Sequence, residues 1–376
     1  MALQFSRNAK VYIEVEGTLN SPGVNTVWQV PVLDGFSFSQ AINTTEVTVS
    51  EAGSTSRRAQ LIFNDSLAPV EWSFSTYVRP FVSAGSGAGA ADSAAEVHSV
   101  EEALWAMFMG ADAYNNTTKV LNRGGNAINT PAGALSTFVF TQSNISAMSD
   151  AWNIYFSFEE VGNTQVYRLN QAVVNSATID FDIEGIATIQ WSGFAQAIED
   201  VTTNTPTRDI YEKISDTSVY IRNRISTVSL VRTDVSPDLT YSIIITGGSI
   251  SFENNISYLT PEELGIVNQP IANVTGTRSI RGTLNCYLDP AATKSGALFA
   301  NLVADTTTVR NVFDMAINIG GETASTPRLT LDIPTAHVEI PAIGIEDLLT
   351  LEIGFAAQPS SGNVDNTDEA TIIYRA

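Results

Sequence analysis

IRGTLNCYLDP, residues 280–290, aligns without a gap on VEWSFSTYVRP, residues 70–80, at a shift of 210 positions. Tyr77 then faces Tyr287, Val78 faces Leu288, Phe74 faces Leu284 and Pro80 faces Pro290. Each stretch alternates polar and apolar residues, the pattern of a strand with one buried face, and stops at a proline that cannot donate to a ladder. Working outward, the matches continue in one order. FSFSQAIN from Phe36 is answered by ISFENNIS from Ile250, and ALWAMFMGA from Ala103 by ALFANLVAD from Ala297. WNIYFSFEEVGNTQVYRL from Trp152 is answered by FDMAINIGGETASTPRL from Phe313, and Gly193-Phe194-Ala195 by Gly354-Phe355-Ala356. Repeats must be found before anything else, because a missed repeat mis-assigns the whole fold. The order implies a tandem duplication: residues 1–200, a polar joint over 201–225, and residues 226–376.

Within each copy the elements are short and mostly β. VYIEVEG from Val11 and VWQVPVLDGFSFS from Val27 form a hairpin around Ser21-Pro22-Gly23, with Pro31 placing the return strand at an edge or a bulge. Residues 228–245 form a second hairpin, turning at Ser236-Pro237-Asp238. EVHSVEEALWAMFMG, residues 96–110, reads as a helix with Val97, Val100, Leu104 and Phe108 on one face. Ser99 with Glu102 forms its capping box and Gly110 its stop. Polar loops follow FSFSQAIN and ISFENNIS. The copies differ after the helix, where Asp112–Asp150 stands against only Asp305–Asn311. The excess, about residues 113–148, reads as an insertion, expected on a surface that contacts between the copies leave free. The fold class is mainly β: a sandwich or partly closed barrel in each copy, with one packed helix and a long hairpin.

Composition narrows function by exclusion. The 376 residues are 44% hydrophobic, enough for real cores. They carry 19 basic residues against 40 acidic ones, a net charge of −21. Nucleic-acid binding needs clustered Lys and Arg, so this chain should repel phosphate. The N-terminal residues have no apolar core of a signal peptide, and no long apolar run predicts a membrane span. The single cysteine, Cys286, lies in the repeated strand opposite Thr76 and reads as a small buried hydrophobe.

Catalytic chemistry finds little to work with. His98 and His337 are the two histidines, too few for a histidine metal cage. No G-x-S-x-G elbow or phosphate-binding P-loop occurs. Gly85, Gly87 and Ala90 satisfy G-x-G-x-x-A before a helix, but antiparallel hairpins surround them and a flexible connection explains them. Asp180, Asp182 and Glu184 alternate along one strand, as a solvated face does. No catalytic residue, cofactor site or metal site is therefore assigned, and the chain does not read as an enzyme.

The order of long hairpin, FSFSQAIN before a polar loop, VEWSFSTYVRP, one helix, and strands ending in GFA resembles phage tail tube proteins. Duplication within one chain is similar to the tube proteins of certain large siphophages. That resemblance implies a structural virion protein whose three two-domain chains make a pseudo-sixfold ring. Rings would stack into a tube with an acidic lumen through which viral DNA passes without specific binding. It also implies tail terminator, tail tip or baseplate, and tape measure proteins as partners, no membrane, and assembly in the host cytoplasm into a virion tail. Ring stacking is assigned to the two polar loops, with Glu46, Glu51, Arg57 and Arg58 on the first and Glu262, Glu263 and Arg278 on the second. Exposed ion pairs there would each contribute only about 0–1 kcal/mol. The competing class is a carbohydrate- or receptor-binding β-sandwich module, which would need exposed aromatic platforms. A hydrolase would have to use carboxylates such as Asp182.

Overall fold

Both halves of the matched pattern lie inside sheets, each flanked by a strand on either side. The computed structural model describes residues 8–15, 27–47, 61–83, 96–115, 118–141, 145–159, 164–202, 206, 220–321, 326–345, 347–360 and 366–376. The first half opens with β1 (Ala9–Val15), β2 (Val27–Val30), β3 (Ser37–Val47) and β4 (Leu61–Tyr77). Short β5 (Pro80–Val82) and β6 (Val97–Ser99) lead into α1 (Glu102–Phe108). Small strands follow: β7 (Ala113–Asn115), β8 (Val120–Arg123), β9 (Asn126–Ala127), β10 (Asn129–Pro131) and β11 (Ser136–Val139). The half ends with β12 (Trp152–Phe158), β13 (Gln165–Asn170), β14 (Val173–Asp182), β15 (Thr188–Ala195) and β16 (Ala197–Asp200). The second half begins with β17 (Thr227–Arg232), β18 (Leu239–Ile243), β19 (Ile245–Glu253), β20 (Ser257–Leu259), β21 (Ala272–Val274) and β22 (Ser279–Tyr287). After α2 (Ser295–Ala304) come β23 (Phe313–Gly320), β24 (Arg328–Val338), β25 (Ala342–Ile345), β26 (Leu349–Ala357) and β27 (Thr371–Arg375).

Each half is a two-layer sandwich, and the same strand order occurs in both. One layer runs β3-β4-β15-β14 in the first half and β19-β22-β26-β24 in the second. The other runs β2-β1-β12-β13-β16, matched by β18-β17-β23-β24-β27. In the second half the long β24 serves both layers, pairing β23 and β27 with its first part and β26 with its last three residues. The first layers are joined edge to edge, β14 on β19, from Ser176 opposite Glu253 to Asp182 opposite Gly247. Among the described residues the sheets form open sandwiches.

Aromatic packing holds the layers together and crosses the joint. All five tryptophans are buried, and each indole N–H has an acceptor. Trp105 of α1 packs edge-on against Trp191 and Phe252, at centroid distances of 4.8 and 5.2 Å. Its Nε1 donates to the Tyr374 hydroxyl, 2.7 Å away on β27. A first-half helix is thus the plug between the halves.

Four expectations are revised. The helix begins at Glu102, since Val97–Ser99 pairs with β5 instead. No capping box forms, because buried Glu102 accepts from Trp28 Nε1 at 2.9 Å and bonds His98 Nδ1 at 3.0 Å. The stop is at Gly110, whose φ of +81° suits glycine. The insertion does not occupy a free surface: β11 pairs with β27, and Asn273 of β21 bonds both Met148 N and Met148 O. Its own apolar residues, Leu121, Ile128, Phe138 and Phe140, are buried, so it covers the seam between the halves. Finally, the GFA match is one residue out of phase. Gly193 lies opposite Trp72, but Phe355 is the residue opposite Gly282. A Cβ on Gly193 would enter the Trp72 ring, and a Cβ on Gly282 would enter the Phe355 ring. The large and small partners have exchanged strands. The turn Ser21-Pro22-Gly23, the glycine segment from Gly85 and most of the 201–225 joint lie outside the described residues.

Candidate assembly surfaces

The first polar loop begins as a ribbon, not as irregular chain. β3 and β4 stay paired out to Val47 opposite Leu61, well beyond the sandwich. Glu46 sits on this ribbon opposite Ile62, while Glu51, Arg57 and Arg58 lie outside the described residues. Both faces of the ribbon are open to solvent, so Val47, Leu61, Ile62 and Phe63 are exposed. Burial of such side chains is worth about 25 cal/mol per Å², so their exposure is costly unless another surface covers them.

The second loop, between β20 and β21, meets the base of this ribbon. Leu67 N donates to Asn268 O at 2.8 Å, and Asn268 N donates to Asp65 O at 3.0 Å. Glu262 and Glu263 are exposed on it, and Glu263 N is held by Asn268 Oδ1 at 2.8 Å. Leu264, Ile266 and Ile271 are exposed beside them. The two loops chosen from sequence therefore meet at the base of the ribbon, and each carries exposed apolar side chains beside carboxylates.

Arg278 is different. Its Nη2 donates to both Glu369 oxygens, at 2.7 and 2.5 Å, and its guanidinium lies 3.9 Å from the Phe140 ring centroid. Both members of the pair are largely buried. The arginine joins the loop stem to the insertion and the C-terminal segment, inside the fold. Sequence reasoning missed the exposed apolar residues. Their signal was Leu61-Ile62-Phe63, an unalternated apolar run next to polar chain.

A second surface is the open face of the β3-β4-β15-β14-β19-β22-β26 sheet. Inward Val70, Trp72 and Phe74 alternate with outward Glu71, Ser73 and Ser75, and the neighbouring strands do the same. Cross-strand pairing sets Ser37 beside Ser73 and Ser192 beside Ser176. Their hydroxyls bond across the strands, Ser37 to Ser73 at 3.0 Å and Ser176 to Ser192 at 2.7 Å. Ser249 Oγ donates to Asp180 at 2.6 Å, and Asp182 accepts the Glu184 and Gly185 amides. These carboxylates are therefore engaged by groups of the sheet and its turn. Cys286 is buried, and burial pushes its thiol up to about 11.

The model of the phage tail tube protein family matches residues 79–357. The chain belongs to that family. It is also 29% identical to the tail tube protein pb6 of Escherichia phage T5, over 98% of this chain and 75% of that protein. As a tail tube protein it is a structural component of the virion tail, and not an enzyme. Its chemistry is self-assembly, so the exposed patch and the open sheet face of this tail tube protein are the places to seek function.

Proposed function

We propose that the halves are two copies of one tube domain, 1–200 and 226–376 joined by 201–225, and that three chains close a pseudo-sixfold ring. Rings stack through the ribbon and the 260–271 loop, with Glu46, Glu51, Arg57, Arg58, Glu262 and Glu263 as a charged rim around apolar contacts. Arg278 braces that loop from within. The open sheet face walls the lumen, through which DNA passes. Tail terminator and tail tip proteins meet the tube ends, a tape measure protein occupies the bore, and assembly takes place in the host cytoplasm.

The composition of that face carries the reading. Glu71, Asp180, Asp182, Glu253 and Glu352 lie on it against one described basic residue, Arg281. The rest is largely Ser and Thr, several of whose hydroxyls already bond one another. Phosphate contacts from Lys and Arg would hold DNA, and repulsion with saturated donors lets it slide. The repeated strand order supports the duplication. The glycan-binding alternative has no tryptophan platform, since all five indoles are buried.

Negative-stain microscopy of concentrated protein, with mass measurement of single rings, tests this. Stacked rings of three chains that leave labelled duplex DNA unbound are expected. Protein that stays monomeric with tail-tip initiator present, or tubes that retain DNA at physiological salt, would overturn it.

A further inference from the structure

Half-buried arginines in this fold are matched to acceptors, except for one pair. Arg168 on β13 stands opposite Glu199 on β16 and bonds it. Arg232 bonds Asp234 and Asp305, Arg278 bonds Glu369, and Arg310 donates to Gln358 Oε1 at 2.7 Å. The corresponding strands of the second half, β24 and β27, instead set Arg328 directly opposite Arg375. Among the described residues neither guanidinium has a hydrogen bond, ion pair or ring contact, and the Nε of each is buried without an acceptor. Like charges directly opposite each other destabilise a sheet. Burial and the Arg375 charge both pull the Arg328 pKa below the usual arginine range. The two arginines alternate with buried Leu329 and Tyr374, so both project from the outer side of the second layer. That side lies across the sandwich from the face proposed as the lumen wall. On it Asp332 is four residues along β24, about 13 Å away, too far to pair with Arg328. Its own carboxyl is pushed up by burial and by the charge of Asp314. The outer face thus keeps its cations and its anions apart.

We infer that Arg328 and Arg375 form a binding site for one oxyanion, and that its occupant is an aspartate or glutamate side chain of another copy of the chain. The inference rests on the tube-building function proposed above. Residues opposed on antiparallel strands have Cα atoms about 4.5–5.5 Å apart, so two guanidiniums there can direct N–H donors at one carboxylate. A carboxylate between them replaces the repulsion with two charge-assisted contacts. The chain carries 40 acidic residues against 19 basic ones, so a neighbouring copy presents carboxylates with no cation of their own. DNA in the bore lies on the other side of the sandwich. A cation pair that lacks its acid within one chain, on a protein rich in spare acids, lets copies attract each other despite a net charge of −21.

The test exchanges the pair for lysines. Arg328→Lys with Arg375→Lys keeps both charges and gives each position an amine that a carbodiimide joins to a carboxylate in contact with it. Tubes grown from isotope-labelled and unlabelled chains in mixture are cross-linked, digested and read by mass spectrometry. Peptides joining position 328 or 375 of one chain to an aspartate or glutamate of the other label are expected. Tubes in which those positions join acids of their own chain only, or none, overturn the inference and leave the tube reading standing. A lysine variant that folds but builds no tubes counts for the site, because lysine lacks the guanidinium fork. Arg375→Thr gives an independent reading. Relief of repulsion should leave the monomer melting temperature unchanged or higher, while the protein concentration needed for tubes rises about tenfold, as loss of one charged hydrogen bond implies. A lower melting temperature would assign Arg375 to the fold, and tubes at the wild-type concentration would remove it from the contact; either overturns the inference. Inorganic phosphate that raises the melting temperature of the wild-type monomer, but not of Arg375→Thr, and leaves tube growth unchanged would give the site to a free anion and overturn the second copy as occupant. Wild-type protein that builds no tubes overturns the tube reading and this inference with it.

Discussion

Arg278→Glu separates a residue of the fold from a residue of the assembly surface. The substitution removes two charge-assisted hydrogen bonds to Glu369 and sets a second carboxylate against it. Breaking a fully buried ion pair costs about 3–5 kcal/mol. Here the side chains of Arg278 and Glu369 are 16% and 18% exposed, so water screens part of the loss and about 2–3 kcal/mol is expected. Losing the guanidinium over Phe140 adds about 0.5–1 kcal/mol. The total, about 3 kcal/mol, is large against the margin by which domains are stable. Urea unfolding below the assembly concentration, followed by tryptophan fluorescence, measures it. Arg278→Glu with Glu369→Arg should recover most of the loss and still build tubes. An Arg278→Glu monomer that unfolds like the wild type but cannot assemble would refute the bracing role and return Arg278 to the ring–ring interface.

Three further outcomes are expected. Burial holds the Glu101 carboxyl at about 7, against which hydrogen bonds from Tyr374 and the Arg79 backbone and the charge of Arg79 work. The folded state therefore binds that proton more tightly than the unfolded chain. Its contribution, about 3 kcal/mol, is complete below about pH 4.5 and is lost as pH rises to about 7. Glu101→Gln should flatten that part of the stability–pH curve, and an unchanged slope would sink the assignment. Phe63→Asp should leave monomer stability within about 0.5 kcal/mol, because the ring is exposed, yet prevent rings from stacking in sedimentation. Normal tubes from it would remove the ribbon from the interface. Lysine at Glu71, Asp180, Glu253 and Glu352 together should give tubes that retain DNA at low salt and release it steeply as salt rises; tubes that still ignore DNA would mean this face is not the wall.

Alternation made the sandwich legible in the sequence, because a strand with one buried face must read with a period of two. The same local logic failed wherever a partner lay far along the chain. Ser99 and Glu102 have the spacing of a capping box, but Glu102 is buried beneath Trp28, and a buried carboxylate goes to the strongest donors within reach. The insertion has the Asn, Thr and Gly content of a surface loop, yet β11 finds an unpaired edge on β27, near the C-terminus. Nothing in residues 113–148 announces that partner. Arg278 ends a polar loop and is one of few cations, which suggested an exposed contact. Glu369 is its counterpart, and only the fold brings the two together.

The phase error at GFA shows why identity between halves can mislead where packing does not. A sandwich layer conserves the volume between opposed strands, and the share held by each strand is free to change. In the first half β4 supplies the bulk, Trp72, and β15 supplies the space, Gly193. In the second β22 supplies the space, Gly282, and β26 the bulk, Phe355. Matching letters pairs Gly354 with Gly193, but Gly354 lies on the open face under Glu339, while Gly193 lies inside. Once phase is set by packing, the halves can be compared position by position. Only then do Ile343 and Ile345 stand out as residues whose first-half counterparts are buried. An exposed isoleucine alone means little on a protein surface. An exposed isoleucine whose counterpart is covered by a neighbouring strand marks a place where the two halves are packed differently.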